Sequence, residues 1–182
     1  VGTKTFFEFE KSTMNLGQRI IGPQSPVFII AEIGVNHDGS LRRAAQLVHI
    51  AKECGAAAVK LQVFKAEQLM HESSQFAAYQ KQAVRDADPV AMLKRYELSE
   101  EQLSAIVGAI HACGMVAVAT PFSPADVETV GRIGVDVVKI ASPDSVNRPL
   151  LQKAADLGKP MIVSTGAASL DEIQMCCDWL TG

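Results

Sequence analysis

Four stretches of the chain share one plan, and that plan narrows the fold more than anything else in the sequence. They are HIAKECGAAAVKLQ, GAIHACGMVAVAT, VGRIGVDVVKIAS and KAADLGKPMIVST. In each, an apolar-periodic segment closes near a glycine (Gly55, Gly114, Gly134, Gly158), and a strand-like apolar run follows. Lys60, Ala119, Lys139 and Val163 each lie five residues beyond their glycine. This is helix, tight turn and buried strand, repeated. With VFIIAEIG (27–34) in front, the chain reads as five strands, each followed by helical sequence. Strands are expected near 27–33, 57–63, 115–120, 136–141 and 161–165. They are apolar on both faces, as parallel strands covered by helices must be. Short loops and right-handed crossovers then leave an α/β barrel or an open doubly wound sheet.

The helix starts agree with this division. Leu41, Ala44, Ala45, Val48 and Ala51 fall on one face behind Ser40, a candidate N-cap. Ser99-Glu100-Glu101-Gln102 and Ser169-Leu170-Asp171-Glu172 both fit a capping box. Pro124 and Pro149 stand where a first helical turn begins. Two regions break the plan. Residues 1–26, with KTFFEFEK and then RIIG, are expected to form an N-terminal extension with a small β-hairpin that plugs one end. The barrel-type unit is expected to occupy 27–182. Residues 65–98 form a long connection with short helical pieces, Pro89 to Tyr96 among them. Such an insertion after a strand suits a substrate loop.

The whole-chain properties exclude several classes. The 182 residues carry 17 Lys+Arg against 20 Asp+Glu, a net charge of -3. There is no basic block, and two Tyr and one Trp make few stacking platforms, so no nucleic-acid partner is expected. No run of ~18 apolar residues reads as a membrane span. The opening VGTKTFFEFEK does not resemble a signal peptide. Cys54, Cys113, Cys176 and Cys177 form no CxxC pattern. The expectation is a cytoplasmic protein with free, mostly buried thiols.

Polar residues collect at the C-terminal ends of the expected strands, where a β/α barrel places its chemistry. Glu32 ends the first strand, with Gly34, Asn36 and His37 beyond it. Lys60 and Gln62 end the second, two apart and so on one face. Thr120 ends the third; Lys139, Ser142 and Asp144 end the fourth; Ser164, Thr165 and Gly166 end the fifth. Two ammonium groups in one cavity repel, and an anion between them makes the pair tolerable. The hydroxyls and the N–H groups near Gly166 are phosphate-type donors. The set describes a pocket for a small, multiply charged anion such as a phosphorylated carboxylic acid. Either lysine could instead form a Schiff base. Each residue also has a plainer use: a strand-end lysine can snorkel to the surface, Thr and Ser can cap, and Glu32 can pair with a lysine. His37 in NHDG can hold a turn, and His49, His71 and His111 read as ordinary helix or loop residues.

IIAEIGVNHDGSL, VKLQVFKAE, ATPF, VKIASPD and IVSTGAASLDEI resemble the successive strand-end motifs of the sialic acid synthase family. That family includes N-acetylneuraminate synthase and its legionaminate, pseudaminate and spore-coat relatives. The resemblance runs from about Leu16 to the end of the sequence. It implies a TIM (β/α)8 barrel and condensation of phosphoenolpyruvate with N-acetylmannosamine or a related amino sugar. The products are a nonulosonic acid and phosphate. It also implies manganese or magnesium and a homodimer. Carried over by motif, Lys60, Gln62, Thr120, Lys139, Ser142 and Ser164 bind the phosphate and carboxylate. Glu32 stands near the metal and its water. Asp144 serves the sugar and the proton. In this reading the lysines are electrostatic clamps and form no imine. Pro143 departs from the family's usual glycine or aromatic residue.

A closed barrel of this type needs ~250 residues and eight strands, and about five βα units are legible here. The metal-ligating histidines implied by the resemblance have no counterpart in the sequence. The expectation is therefore the N-terminal part of a synthase, binding metal poorly and inactive alone. The competing readings are a Schiff-base aldolase and a non-catalytic barrel serving as a binding or scaffold protein.

Overall fold

The computed structural model describes residues 13–17, 19–72 and 89–181. The chain opens on an antiparallel hairpin of β1 (Met14–Leu16) and β2 (Arg19–Ile21). Five further strands make one sheet: β3 (Ile30–Glu32), β4 (Ala58–Val63), β5 (Val116–Pro121), β6 (Val137–Ile140) and β7 (Met161–Val163). Their order is β3-β4-β5-β6-β7, and every neighbouring pair is parallel. The α/β class, the five parallel strands and the hairpin are as the sequence indicated. The edge strands β3 and β7 are shorter than expected, at three residues each. The hairpin's first described strand is Met14–Leu16; KTFFEFEK lies outside the described residues.

The helices are α1 (Leu41–Glu53), α2 (Ala66–Glu72), α3 (Pro89–Lys94), α4 (Glu100–Ala112), α5 (Pro124–Arg132), α6 (Arg148–Ala155) and α7 (Leu170–Thr181), with a 3-10 turn at Ser142–Val146. Their starts follow local chemistry. The Ser40 and Ser123 hydroxyls accept from the Arg43 and Asp126 N–H groups. The Ser99 and Ser169 capping boxes form in both directions. Asn147 caps α6, so Pro149 falls in the first turn, where its missing N–H costs no bond.

The helix ends account for the repeated glycine. After α1, the Gly55 N–H donates to the Lys52 carbonyl and the Ala56 N–H to Ala51. After α4, Gly114 and Met115 repeat this with His111 and Ile110. These are Schellman closures, which need a left-handed residue. Gly55, Gly114, Gly134 and Gly158 have φ of 82, 66, 76 and 63°.

Strand alternation then divides the sheet's two faces. Val59, Leu61, Val63, Ala117, Ala119, Val138 and Ile140 pack on the helices in the main core, with Val48, Ile106, Ile110, Val127 and Leu150. On the other face, Ala58, Val116, Val118 and Val137 form a smaller core with Leu16 of the hairpin. The hairpin thus packs against the lower, N-terminal end of that face. Above this apolar layer the same face carries Glu32, Lys60, Gln62, Thr120 and Lys139.

Candidate active site

Register brings the polar residues together. Glu32 pairs with Lys60 across β3 and β4, and Gln62 with Thr120 across β4 and β5. Lys139 stands opposite Ile162, two residues before Ser164. The Lys60 ammonium forms an ion pair with Glu32 Oε2 and lies 3.5 Å from Thr120 Oγ1. The other carboxylate oxygen, Oε1, accepts the Gly34 N–H at 2.7 Å. A Cβ added at Gly34 would stand 2.8 Å from that oxygen and 3.4 Å from the Gln62 amide, so backbone and both side chains meet closely there. Thr120 is buried at 3% exposure and Lys60 is largely covered, its side chain 18% exposed.

The second half lies on β6 and β7. Lys139 Nζ donates to the Ile140 carbonyl at 2.7 Å and forms a short hydrogen bond with Ser164 Oγ. Burial is the main cause that holds the Lys139 ammonium below the ordinary lysine range. The Lys60 charge lowers it further, and Glu32 works the other way. Lys139 therefore feels the Lys60 charge across the strand ends, with Glu32 offsetting part of that repulsion. Ser142 Oγ accepts the Ala167 N–H, which ties the turn after β6 to the loop after β7.

Asp144 sits in the 3-10 turn after β6, where its Oδ1 accepts from Asn147 Nδ2 at 3.4 Å. His37 is buried at 2% exposure, and its Nδ1 accepts the Gly39 N–H at 3.1 Å. Burial pushes its pKa down, partly offset by a hydrogen bond to the Gly34 backbone. It holds the turn that follows Glu32. That turn leaves no room for a side chain at Gly39, where a Cβ would meet the Arg95 carbonyl at 2.1 Å.

Some features were not read from the sequence. A lysine partner for Glu32 was among the sequence's readings; that it is Lys60, and that the Gly34 N–H shares the carboxylate, needs the three-dimensional register. Asp126 is buried at the start of α5, accepts from Ser123 Oγ and Phe122 N–H, and is pushed up by burial. The same Ser123 hydroxyl meets Gln68 at 3.0 Å, joining the loops after β4 and β5. The spacing Ser-Pro-x-Asp was the available signal. All four cysteines are free, but the expectation of mostly buried thiols fails. Cys176 is buried and Cys113 half-buried, while Cys54 and Cys177 are exposed. His111 pairs with Asp136, His49 lies beside Cys113, and the His71 side chain is outside the described residues.

The described residues do not make a metal site by themselves. Among them, no three His, Cys, Asp or Glu side chains gather closely enough to hold an ion. Glu32 is already paired with an ammonium group.

The NeuB family pattern matches residues 47–182. The chain belongs to the NeuB family. This bears out the resemblance of its strand-end motifs to sialic acid synthases. Among NeuB-family relatives, N,N'-diacetyllegionaminic acid synthase of Legionella pneumophila is 39% identical over 158 residues, 86% of this chain and 44% of that protein. N-acetylneuraminate-9-phosphate synthase of Homo sapiens is 31% identical, over 86% of this chain and 44% of that protein. The crystal structure of N-acetylneuraminic acid synthetase from Leptospira borgpetersenii, in complex with citrate, has a TM-score of 0.78 at 31% identity. That match covers 93% of this chain and 55% of the other. The chain spans about half the length of the NeuB relatives it matches.

Proposed function

We propose that this chain provides part of a sugar-acid synthase that joins phosphoenolpyruvate to an amino sugar of the N-acetylmannosamine class. The observation that carries the proposal is the placing of two lysines, Lys60 and Lys139, among Thr120, Ser142 and Ser164 at one end of a parallel sheet. Kinship to named sialic and legionaminic acid synthases adds the reaction class. The fold in this reading is a (β/α)8 barrel, of which the five strands are an arc. The enzyme is a cytoplasmic homodimer.

In the reaction, C3 of phosphoenolpyruvate attacks the open-chain sugar's aldehyde carbon and forms the new C–C bond. Positive charge develops at C2, water adds there, and phosphate leaves with C–O cleavage. Lys60 and Lys139 hold the carboxylate and phosphate through these steps, as fixed positive charges in a partly dry site. Thr120, Ser142, Ser164 and Gln62 supply neutral donors. Lys60 exchanges its contact with Glu32 for the anion, which frees Glu32 to accept a hydrogen bond from water. Asp144 serves the sugar and a proton. No step is assigned to the manganese or magnesium that the resemblance implies, since the described residues do not form its site.

The test is calorimetry of the chain with phosphoenolpyruvate. Binding that Lys139→Met weakens sharply supports the reading; undiminished binding in that variant refutes it. A second reading has one observation in its favour: a lysine held below its ordinary range is a better imine-forming nucleophile. Borohydride reduction with pyruvate separates the two, because only an imine is trapped as a stable adduct at Lys139 or Lys60.

A further inference from the structure

A cleft of about 410 Å³ lies at the opposite end of the sheet from the lysines. Arg19, His111, Gly114, Met115, Val116 and Asp136 line it. Val116 is the first residue of β5 and Asp136 immediately precedes β6, whereas Thr120 and Lys139 stand further along the same strands. The hairpin turn at Gly17 packs against Asp136 and Val116, which brings β2 and Arg19 to the cleft.

The charges in this cleft are arranged unusually. Asp136 Oδ2 accepts the Ala117 N–H at 2.7 Å and faces His111 Nε2 at 2.9 Å. Its Oδ1 takes no hydrogen bond among the described residues. Arg19 forms no ion pair among the described residues, with Asp136 or any other acid. A guanidinium and a carboxylate thus line one small cleft without meeting. A simple anion drawn to Arg19 would also face Asp136, and a simple cation would face Arg19. A ligand carrying both charges satisfies both groups. Met115 and Val116 border the cleft but are spent in the two cores, at 4% and 5% exposure, so the exposed part of its lining is mainly the charged side chains. The volume is within the ordinary range for small-molecule sites, roughly 300–1,000 Å³.

We infer that this cleft binds a small zwitterion, an α-amino acid. Its carboxylate meets the Arg19 guanidinium, whose forked donors suit that group. Its ammonium donates to Asp136 Oδ1. Such a ligand leaves the lysine end of the sheet free, so it does not compete with phosphoenolpyruvate.

L-Leucine is the probe, with 4-methylpentanoate lacking the amine and 3-methylbutylamine lacking the carboxylate. Amide shifts in two-dimensional NMR report both affinity and place. The expected result is saturable movement of the Val116, Ala117 and Asp136 amides with L-leucine, and affinity lower by about tenfold or more for either half-ligand. Arg19→Gln, an exposed hairpin substitution, should weaken L-leucine by a similar factor while phosphoenolpyruvate binding is unchanged. Asp136→Asn is the less clean variant, because Oδ2 also supports the Ala117 N–H. The inference is overturned if L-leucine moves none of these amides, if either half-ligand or inorganic phosphate binds as well as L-leucine, or if Arg19→Gln leaves the affinity intact. None of these outcomes depends on whether phosphoenolpyruvate binds at the other end.

Discussion

Lys139 has a lowered pKa, and the direction of that shift has a measurable consequence. An anion clamp works while it is protonated. Phosphoenolpyruvate affinity should therefore fall as pH rises through the depressed range, earlier than an ordinary lysine would allow. Lys60→Met removes one of the two causes, so the fall should move to higher pH even though overall affinity is lower. A titration series over alkaline pH checks this; a profile flat up to the ordinary lysine range would contradict it. Lys139→Met should weaken binding by about 10–100-fold, the worth of a charge-assisted bond. In a form of the protein that turns over, kcat/KM should fall with it. His37 makes a separate prediction about stability. Its pKa is lowered in the folded chain, so below about 6.5 the unfolded chain binds the proton more readily. Stability is unaffected by this group at higher pH and is lost as pH falls through that window. His37→Gln should lower the urea midpoint near neutral pH yet reduce the further loss on acidification. An unchanged acid dependence would count against the buried imidazole. The positions of Glu32, Lys60 and Lys139 were legible because strand alternation fixes which side chains share a face. That Glu32 could take a lysine partner was legible too, but not which one, because that depends on the register of two strands 28 residues apart at Ile30 and Ala58.

The elements themselves were legible where local chemistry decides them. The capping serines and the glycine closures act within a single turn, so the sequence alone specifies them. The short edge strands were overextended in the reading because apolar composition does not report how many residues find a partner. One pair of substitutions isolates the closure. At Gly55 and Gly108 an added Cβ meets nothing within 4 Å, so neither change causes a clash. Gly55 has φ of 82°, while Gly108 lies inside α4. Gly55→Ala should cost about 1–2 kcal/mol, the left-handed penalty. Gly108→Ala should stabilise by up to about 1 kcal/mol through helix propensity. Urea unfolding of both variants measures this, and the same sign for the two would refute the conformational explanation. Ser99→Ala at the α4 capping box should cost about 1 kcal/mol by the same measurement.

Across the whole molecule, protection should fall from the centre of the sheet outward. All six β5 residues are buried, whereas β3 and β7 are partly exposed edges. Native-state hydrogen exchange should find β5 amides the slowest and β3 among the fastest of the sheet, since local openings begin where few contacts hold a strand. Equal protection of β3 and β5 would show that the sheet opens only as a unit. The sheet has a further property. Its spatial order is its chain order, and all five strands run the same way. Glu32, Lys60, Thr120, Lys139 and Ser164 therefore stand around the rim in the sequence in which a ribosome makes them. The rim is collinear with the polypeptide. A nascent chain can form the Glu32–Lys60 pair before Lys139 has been synthesised, so the first positive charge is neutralised before the second arrives.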